Sequence, residues 1–418
     1  MLAGLYGVAY VTRPAAERPV EAQPRKVAVE AATAACPATR GEDVSVYLPG
    51  TLSREPMRDA EPYTVSGPGG LEAGYITRTT SGTGRGLAGV RCAEPAAESW
   101  LVGPGPARAR VTLHLVNADK APAFADVEVY AAEGPVSGER GLGLEIKPGE
   151  HRQIDLRTLA DAADVMAVSV KTFTGRLAVS ARAVLETGGV DWLPPAAAPA
   201  TEVVVPAVPG GGGRRELLVA APGETDATVT IKAVTEGAAY AMRGKESVDV
   251  PAGSVLPLDV TTGIGGESAA LVLTSTAPVV AGVVITGTGR QPDVAFTAGT
   301  PSLDLGSAVA ANGAGSRLVL TAPGAAGGGA GAGGAGERRT ARADRRGGAG
   351  GPDQERAAEG RGRVRGGGHA GVGTGVRGAG DGGAAQERSP DHGSAPGPPA
   401  RLWTVLRPLT DTPRAVLP

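Results

Sequence analysis

Six residues in the first quarter of the chain have the spacing of a dinucleotide-binding loop. Residues 84–89 read Gly-Arg-Gly-Leu-Ala-Gly, which matches the pattern G-x-G-x-x-G. In a nucleotide-binding fold a strand precedes this pattern and a helix follows it, so that the helix N-terminus meets the pyrophosphate. Here residues 79–82 are Thr-Thr-Ser-Gly, and Pro95 disfavours a helix after the pattern. We therefore interpret the segment as a glycine-rich loop.

The histidines do not have the spacing of a metal site. His114 lies in a predicted strand and His151 follows a predicted turn, while His369 and His392 lie near the C-terminus. The sequence contains no His-Glu-x-x-His run and no Cys-x-x-Cys pair, which are the common zinc-binding spacings. It also lacks the Gly-x-Ser-x-Gly elbow of many hydrolases. We predict structural roles for these histidines, no catalytic residues, no metal and no cofactor.

Two cysteines, Cys36 and Cys92, are the residues most able to form a covalent link. A single pair in a chain of this size permits one disulfide, which would indicate an oxidising compartment. The alternative is two buried free thiols. We favour the disulfide because other features, described below, also point outside the cytoplasm.

A basic tract near the C-terminus resembles an Arg-Gly segment that binds nucleic acid. Residues 361–368 read Arg-Gly-Arg-Val-Arg-Gly-Gly-Gly. The surrounding residues provide no aromatic side chains on which bases could stack, and nearby acidic residues dilute the positive charge. The whole chain has a formal net charge of −2, so no global field attracts nucleic acid or acidic membranes. Nucleic acid is therefore not an expected partner.

The composition favours a β-protein with a small-residue core. Apolar residues make up 41% of the chain but aromatic residues only 3%, so Val, Leu and Ala must fill any core. Short runs with period-two alternation, often bounded by Gly, Pro or Asp, recur from residue 111 to residue 180. This is the pattern of β-strands, and strands spaced so closely fit a β-sandwich of immunoglobulin-like size.

The chain repeats itself with an offset of about one hundred residues. Residues 216–223 and residues 317–324 both begin with an apolar strand pattern and end in Ala-Pro-Gly. Asp155 and Asp259 recur at equivalent repeat positions, and such recurrence favours a turn or strand-edge role over paired acid–base catalysis, which needs converging carboxylates. We therefore predict tandem modules.

The third copy of the repeat loses its apolar pattern after Gly324. Between Thr321 and Arg401 the chain has no Leu, Ile, Phe, Tyr or Trp, so this segment cannot bury enough apolar surface to offset its conformational entropy. One hypothesis is a shift of the DNA reading frame near codon 324, since Gly, Ala, Arg and Pro have GC-rich codons. The alternative is a genuine low-complexity tail.

The first twelve residues are apolar but too few to cross a bilayer. They also lack the basic region that precedes the apolar part of a signal peptide. With the Arg- and Pro-containing stretch behind them, they are typical of the second half of a signal anchor. The alternative is an N-terminus with no targeting role.

Several short motifs together resemble a known family. They are Cys36-Pro37, Arg91-Cys92, the Trp-Leu-Val-Gly run at residues 100–103, and the tandem Ala-Pro-Gly and Pro-Ala-Gly modules. In these, roughly from residue 26 to residue 324, the chain resembles an uncharacterised family of secreted or membrane-anchored actinobacterial proteins, a domain of unknown function. The resemblance implies an extracytoplasmic protein with an N-terminal anchor. It supplies no catalytic residues.

These observations lead to an all-β fold of tandem immunoglobulin-like β-sandwich modules with a disordered Gly/Ala/Arg-rich C-terminal tail. We expect a non-enzymatic, extracytoplasmic structural or interaction protein whose partners are cell-envelope proteins or glycans, attached to the membrane if its anchor is complete. The alternatives are a cell-envelope glycan-binding or enzyme-accessory array and, as a third class, a cryptic hydrolase.

The predicted parts are a truncated signal-anchor-like segment (1–12), a linker (13–25), an N-terminal β/loop region with the cysteine pair (26–105), module 1 (106–193), module 2 (194–290), the start of an incomplete module 3 (291–324), a low-complexity disordered segment (325–401) and a C-terminal tail (402–418).

Overall fold

The computed structural model describes residues 32–38, 43–48, 51–58, 61–136, 138–288 and 292–302, together with the short pieces 317–319, 321, 323 and 373–375. Nearly all of the regular secondary structure in these ranges is β-strand, which confirms the predicted all-β class. Their helical segments are one turn of α-helix, α1 (Arg157–Ala160), and one 3-10 turn (Glu139–Gly141). Neither has the length and apolar character that a membrane crossing requires.

Several predicted parts lie outside the described residues. They are the anchor-like segment 1–12, the linker 13–25, the tail 402–418 and, apart from 373–375, the low-complexity segment 325–401. Those predictions therefore remain predictions.

The N-terminal region forms two small antiparallel sheets. One pairs β1 with β4, and the other, which we call the cap sheet, has the strand order β3-β2-β5-β6. Buried apolar side chains, among them Val44, Val46 and Tyr75, form the core of this region. The strands are β1 (Ala32–Cys36), β2 (Asp43–Leu48), β3 (Thr51–Pro56), β4 (Tyr63–Gly67), β5 (Glu72–Thr79) and β6 (Gly86–Arg91).

The next nine strands form two sheets. Sheet I has the order β12-β8-β14-β15, and sheet II has the order β10-β9-β13-β7, with β11 also paired to β9. All pairings are antiparallel. The strands are β7 (Glu98–Pro104), β8 (Ala109–Val116), β9 (Ala123–Ala131), β10 (Gly134–Val136), β11 (Leu144–Ile146), β12 (His151–Asp155), β13 (Val165–Thr174), β14 (Ala178–Leu185) and β15 (Val190–Leu193).

The following eight strands are linked by one long strand, β22, of 18 residues. Its second half pairs with β17 and β23, and β17 also pairs with β21; we call this sheet III. Its first half pairs with β16 and β18, and β18 also pairs with β19 and β20; we call this sheet IV. The strands are β16 (Ala200–Val208), β17 (Arg214–Ala220), β18 (Ala227–Thr235), β19 (Ala239–Ala241), β20 (Ser247–Val250), β21 (Val255–Asp259), β22 (Ala269–Thr286) and β23 (Val294–Ala298).

Strand pairing follows the same order in these two sets of sheets. Sheet I places β8 between β12 and β14, as sheet III places β17 between β21 and the second half of β22. Sheet II places β13 between β9 and β7, as sheet IV places the first half of β22 between β18 and β16. Two positions differ from the predicted boundaries: β7 lies before residue 106 but pairs with β13, and β23 lies after residue 290 but pairs with β22.

Alternating side chains hold the sheets in a fixed sequence of layers. In β9 the residues Val127 and Val129 are buried between sheets I and II, while the residues between them face the other way. In β17, Leu217 and Val219 enter the core between sheets III and IV, whereas Leu218 faces sheet II and joins the apolar cluster that continues into the core of sheets I and II. The cap sheet covers sheet I, so the order is cap sheet, sheet I, sheet II, sheet III, sheet IV.

Two short strands follow beyond residue 302. Strand β24 (Arg317–Val319) pairs antiparallel with β25 (Gly373–Gly375). Strand β25 in turn contacts β16 of sheet IV.

Candidate functional site

The glycine-rich segment at residues 84–89 ends as part of a strand, and its N–H groups meet carboxylates. Gly86 begins β6, and no helix follows. The N–H of Leu87 donates to Asp293 Oδ2 at 2.9 Å, and the N–H of Gly89 donates to Asp191 Oδ1 at 3.0 Å. A side chain at Gly86, where φ is +153°, would collide with the Asp293 carboxylate. The segment therefore needs its glycine for close approach to an aspartate of this same chain.

The two aspartates join three parts of the fold. Asp191 lies in β15 of sheet I, and Asp293 directly precedes β23 of sheet III. Besides Leu87, the Asp293 carboxylate accepts the N–H of Val294 at 2.9 Å and the N–H of Val190 at 3.4 Å. These hydrogen bonds satisfy N–H groups at the edges of short strands, which would otherwise be costly to bury.

The carboxyl group of Asp191 is strongly perturbed. Burial raises its pKa from the ordinary value of 3.8 to about 7, although N–H groups of Gly89, Trp192 and Phe296 favour the ionised form; the nearby Asp293 raises the pKa further. The residue keeps a partly exposed surface, but protein atoms surround the carboxyl group itself. The surroundings of the carboxyl atoms set the pKa, whereas the exposed part of the residue has little effect on it.

A pair of histidines lies in the same interface, on the cap-facing side of sheet I. His114 is in β8 and His151 is the first residue of β12. The His114 Nδ1 and His151 Nε2 atoms are 2.9 Å apart, and the two rings are stacked with centroids 5.1 Å apart. Trp192 of β15 covers His114 with a centroid distance of 5.0 Å. Two buried nitrogens, Nε2 of His114 and Nε1 of Trp192, have no hydrogen-bond partner.

Burial keeps this histidine pair neutral. It lowers the pKa of His114 from 6.5 to about 3, with further contributions from positive charge on His151 and Arg182. Burial also lowers the pKa of His151. A general base works best when its pKa is close to the operating pH and when a substrate can reach it. His114 meets neither condition, since its pKa is far below neutrality and the residue is only 5% exposed.

The aspartates and the histidine pair define one region, which we call the cap interface: Tyr75, His114, His151, Arg182, Asp191, Trp192 and Asp293. Here the charge of buried groups depends on pH. Within the described ranges, no group of three or more His, Cys, Asp or Glu side chains could hold a metal ion.

Other residues singled out by the sequence have local structural positions. Cys36 and Cys92, the residues expected to pair, form a disulfide in the N-terminal core. Asp155 accepts the N–H of Arg157 at 3.0 Å, and Asp259 accepts the N–H of Thr261 at 2.9 Å. Each aspartate ends its strand and caps the turn after it, so their oxygens serve two separate turns and do not converge.

Sequence reasoning missed Asp191 and Asp293. Their meeting with the glycine-rich segment was not visible, because it joins residues about one hundred and two hundred positions apart in sequence.

An aromatic pair on the surface was also missed. Phe124 of β9 and Phe173 of β13 lie with ring centroids 6.3 Å apart and ring planes 25° apart. Phe173 is 62% exposed, which is unusual for a large apolar side chain. It is one of only three phenylalanines in the chain. A neighbouring open depression involves charged residues of the turn between β11 and β12. Its lining is Gly143, Leu144, Glu145, Lys147, Pro148, Gly149, Glu150 and Arg152.

These features define the class of the protein as a multi-sheet, all-β protein with one disulfide in its described part. The chain belongs to DUF5719, a family of unknown function, whose family model matches residues 56–343. The predicted membership of a family of unknown function is therefore confirmed. The actinobacterial and secreted character expected of that family is a separate question.

Comparisons with individual proteins add no argument. Among curated proteins, none matches this chain. A solved structure of the infectious bursal disease virus Gx strain is similar over 69% of this chain and 74% of that chain, with 11% identity and a TM-score of 0.11. A similarity at that level indicates neither fold nor function.

Proposed function

We propose that this protein is a non-enzymatic, extracytoplasmic structural or interaction protein built of tandem immunoglobulin-like β-sandwich modules. The observation that carries the proposal is the repeated pairing order, in which sheets I and II match sheets III and IV strand for strand. Chains of stacked modules with few functional groups are typical of structural and adhesive proteins, which present surfaces at a distance from their attachment point.

The two separate cores support the sandwich part of the proposal. In the first module, buried residues of β8 face those of β9 and β13 across sheets I and II. In the second, Leu217 and Val219 of β17 face Val229 and Ile231 of β18 across sheets III and IV. Two facing sheets with alternating inward side chains are the construction of a β-sandwich.

The disulfide supports the location. Disulfides persist in oxidising compartments and are rare where thiols are kept reduced. The Cys36–Cys92 bond links two positions separated by 56 residues and lies within the N-terminal core. An export route through the N-terminal segment, and an actinobacterial, secreted family, would be consistent with this chemistry.

The cap interface supports a role without catalysis. Its perturbed groups are His114, which is shielded from solvent by Trp192, and Asp191, whose carboxylate is occupied by N–H donors. Groups so arranged stabilise an interface and do not face a substrate.

The location and function can be tested on cells that produce the protein. External protease on intact cells should release peptides from residues 98–298, and mass spectrometry without reduction should recover Cys36 joined to Cys92. Incubation with cell-envelope polymers should yield no turnover product. Protection from external protease together with free thiols would refute the location, and turnover abolished by one polar substitution would refute the non-enzymatic role.

A second candidate function, glycan binding by a cell-envelope accessory module, is favoured by the exposed Phe124–Phe173 pair. Sugars stack on exposed aromatic rings, and polar side chains nearby supply hydrogen bonds. The test is sedimentation of the purified protein with cell-envelope polysaccharide. Saturable binding that Phe173→Ala abolishes would favour this function, with Leu52→Ala as the control, since Leu52 is an exposed apolar residue of the cap sheet. Binding that is absent, or that both variants retain, would exclude it.

A further inference from the structure

Sheet IV presents an outer face that is equivalent to the outer face of sheet II. In sheet II, Trp100 of β7 lies opposite Ser169 of β13, which lies opposite Glu128 of β9; Val102 lies on the same face, two residues further along β7. In sheet IV, Val204 of β16 lies opposite Val272 of β22, which in turn lies opposite Lys232 of β18. These rows correspond because the two sheets share one pairing order.

The outer face of sheet II is covered by the next sheet along the chain. Val102 closely approaches Gly282 of β22, where an added Cβ would lie 3.1 Å from the Val102 Cβ. Leu218 and Ala220 of β17 pack into the same apolar cluster. An ion pair of 2.8 Å between Arg108 and the buried Glu216 lies across this contact. The interface of sheets II and III is thus a sheet face covered by the following copy's strand β17.

The outer face of sheet IV carries its own apolar cluster, separate from both main cores. It consists of Val204 and Ala270, with Val234 and Val272 packed against them. Val204 is 0% and Ala270 2% exposed, so other parts of the chain cover this face. We call these four residues the sheet IV patch.

The chain leaves sheets III and IV by the same route that it took from sheets I and II. After β15, the N–H of Ala196 donates to the carbonyl of Trp100 in β7 at 2.8 Å. After β23, the N–H of Thr300 donates to the carbonyl of Val204 in β16 at 3.0 Å. In the first case the following copy then covers sheet II. The second exit directs the chain along the edge of sheet IV.

The beginning of the third copy has the matching pattern. In the sequence repeat, Val319 and Thr321 stand where Leu218 and Ala220 stand in β17. Residues Arg317–Val319 form β24, Val319 is half-buried and Thr321 is 6% exposed. The strand paired with β24 contacts β16.

We propose that the sheet IV patch is the docking surface for the third copy of the repeat, and that β24 with Thr321 covers it as β17 covers sheet II. Side chains of Val319 and Thr321 would face Val204 and Val272, and each further copy of the repeat would use the same face. This inference rests on the tandem organisation proposed above.

The experiment is hydrogen exchange on the full chain, followed in peptides that contain residues 317–323. We expect slow exchange in the wild type and exchange about tenfold faster in Val272→Asp, because a charge in the patch opposes covering it. Thr230→Asp is the matched control, since Thr230 is exposed on the same face but lies outside the patch. It should leave exchange at 317–323 unchanged.

Trypsin cleavage gives an independent readout. Cleavage after Arg317 should be slow in the wild type and about tenfold faster in Val272→Asp, while cleavage after the exposed Arg243 should not change. Faster cleavage at both sites would indicate that the variant unfolds. In that case the proposal is decided by the hydrogen exchange of residues 317–323 in the wild type. Fast exchange there in the wild type would overturn the proposal. So would a wild-type dimer that Val272→Asp dissociates, because a second copy would then cover the patch. Neither result would affect the location and turnover tests above.

Discussion

Sheets I and II are covered on both sides, but by two very different interfaces. On one side the cap sheet meets sheet I through His114, Arg182, Asp191 and Trp192, with two buried nitrogens left without a hydrogen-bond partner, and Asp293, just before β23 of sheet III, also reaches the cap sheet. On the other side sheet III meets sheet II through aliphatic side chains such as Val102, Leu218 and Ala220, together with the Arg108–Glu216 ion pair. The first interface contains ionisable groups with shifted pKa values and lies against the core that holds the disulfide, whereas the second consists mainly of apolar side chains.

The disulfide should give the largest effect, and only on the cap side. A bond that closes a loop of this separation contributes about 4 kcal/mol by restricting the unfolded chain. The double variant Cys36→Ser/Cys92→Ser should therefore lose hydrogen-exchange protection in residues 61–91, while residues 200–286 keep theirs. Adding reductant should change the wild type but not the variant. Equal loss of protection in both regions would mean that the two interfaces do not behave independently.

Leu218→Ala tests the apolar interface. Leu218 is fully buried between sheets II and III, and truncation of a buried leucine typically costs about 3 kcal/mol. We expect lower hydrogen-exchange protection in both β13 and β17, because the Leu218 side chain extends from β17 into the apolar cluster that includes β13. Its neighbour Leu217, equally buried in the second core, is the control. Leu217→Ala should lower protection in β17 and β18 but not in β13, and the same pattern for both variants would contradict the layered arrangement.

Acid should weaken the cap interface through His114. A histidine whose pKa is 6.5 when unfolded and about 3 when folded contributes stability above pH 6.5 and loses it as the pH falls towards 3. At pH 5 the loss is about 2 kcal/mol, since each unit of pKa difference is worth about 1.4 kcal/mol. His151, Arg182 and Trp192 face this group, and any proton on His151 adds to the effect.

The measurement is thermal unfolding of wild type and His114→Gln from pH 4 to pH 8. The variant should show a flatter acid limb even if it is less stable throughout. The strands of sheet IV should show no pH-dependent change in hydrogen exchange over this range. An unchanged acid limb in His114→Gln would exclude this histidine as its source.

Asp191 should give a pH dependence of opposite sign. Because its folded pKa is raised from 3.8 to about 7, its contribution is complete below pH 4 and is lost as the pH rises to about 7. Asp191→Asn cannot ionise and should remove this alkaline loss from the unfolding profile. The variant keeps an oxygen that can accept the Gly89 N–H, so a steeper alkaline loss would contradict the assigned titration.

The sequence predicted the elements better than the contacts between them. Alternation in runs such as residues 126–130 predicted strands because one face of each is buried, and the structure has β9 there. The cysteine pair followed from its being the only pair in the chain. Meeting points such as Asp293 with Leu87 depend on how distant sheets stack, and no local pattern encodes that.

The same limit explains the glycine-rich segment. The residues around it argued against a nucleotide site because Pro95 disfavours a helix there, but the sequence could not indicate a carboxylate as the group that approaches Gly86. Likewise, Phe173 was not singled out because a lone aromatic in a strand pattern ordinarily predicts burial. It lies at an irregularity in the pairing of β13 with β9, between Thr172 and Thr174, in the mostly exposed end of β13.

The smallest predicted effect compares equivalent turns on the two sides of the first module. Asp155 ends β12 in sheet I and Asp259 ends β21 in sheet III, and each caps the N–H two residues later. Substitution of either by alanine should cost about 1 kcal/mol, the usual loss when a side-chain cap of this kind is removed. Each change should lower exchange protection only in its own turn. Asp155→Ala could also lower hydrogen-exchange protection in the cap sheet, or Asp259→Ala could also lower it in β13. Either result would mean that the turn stabilises the neighbouring interface, so that the two interfaces differ in more than their ionisable and apolar side chains.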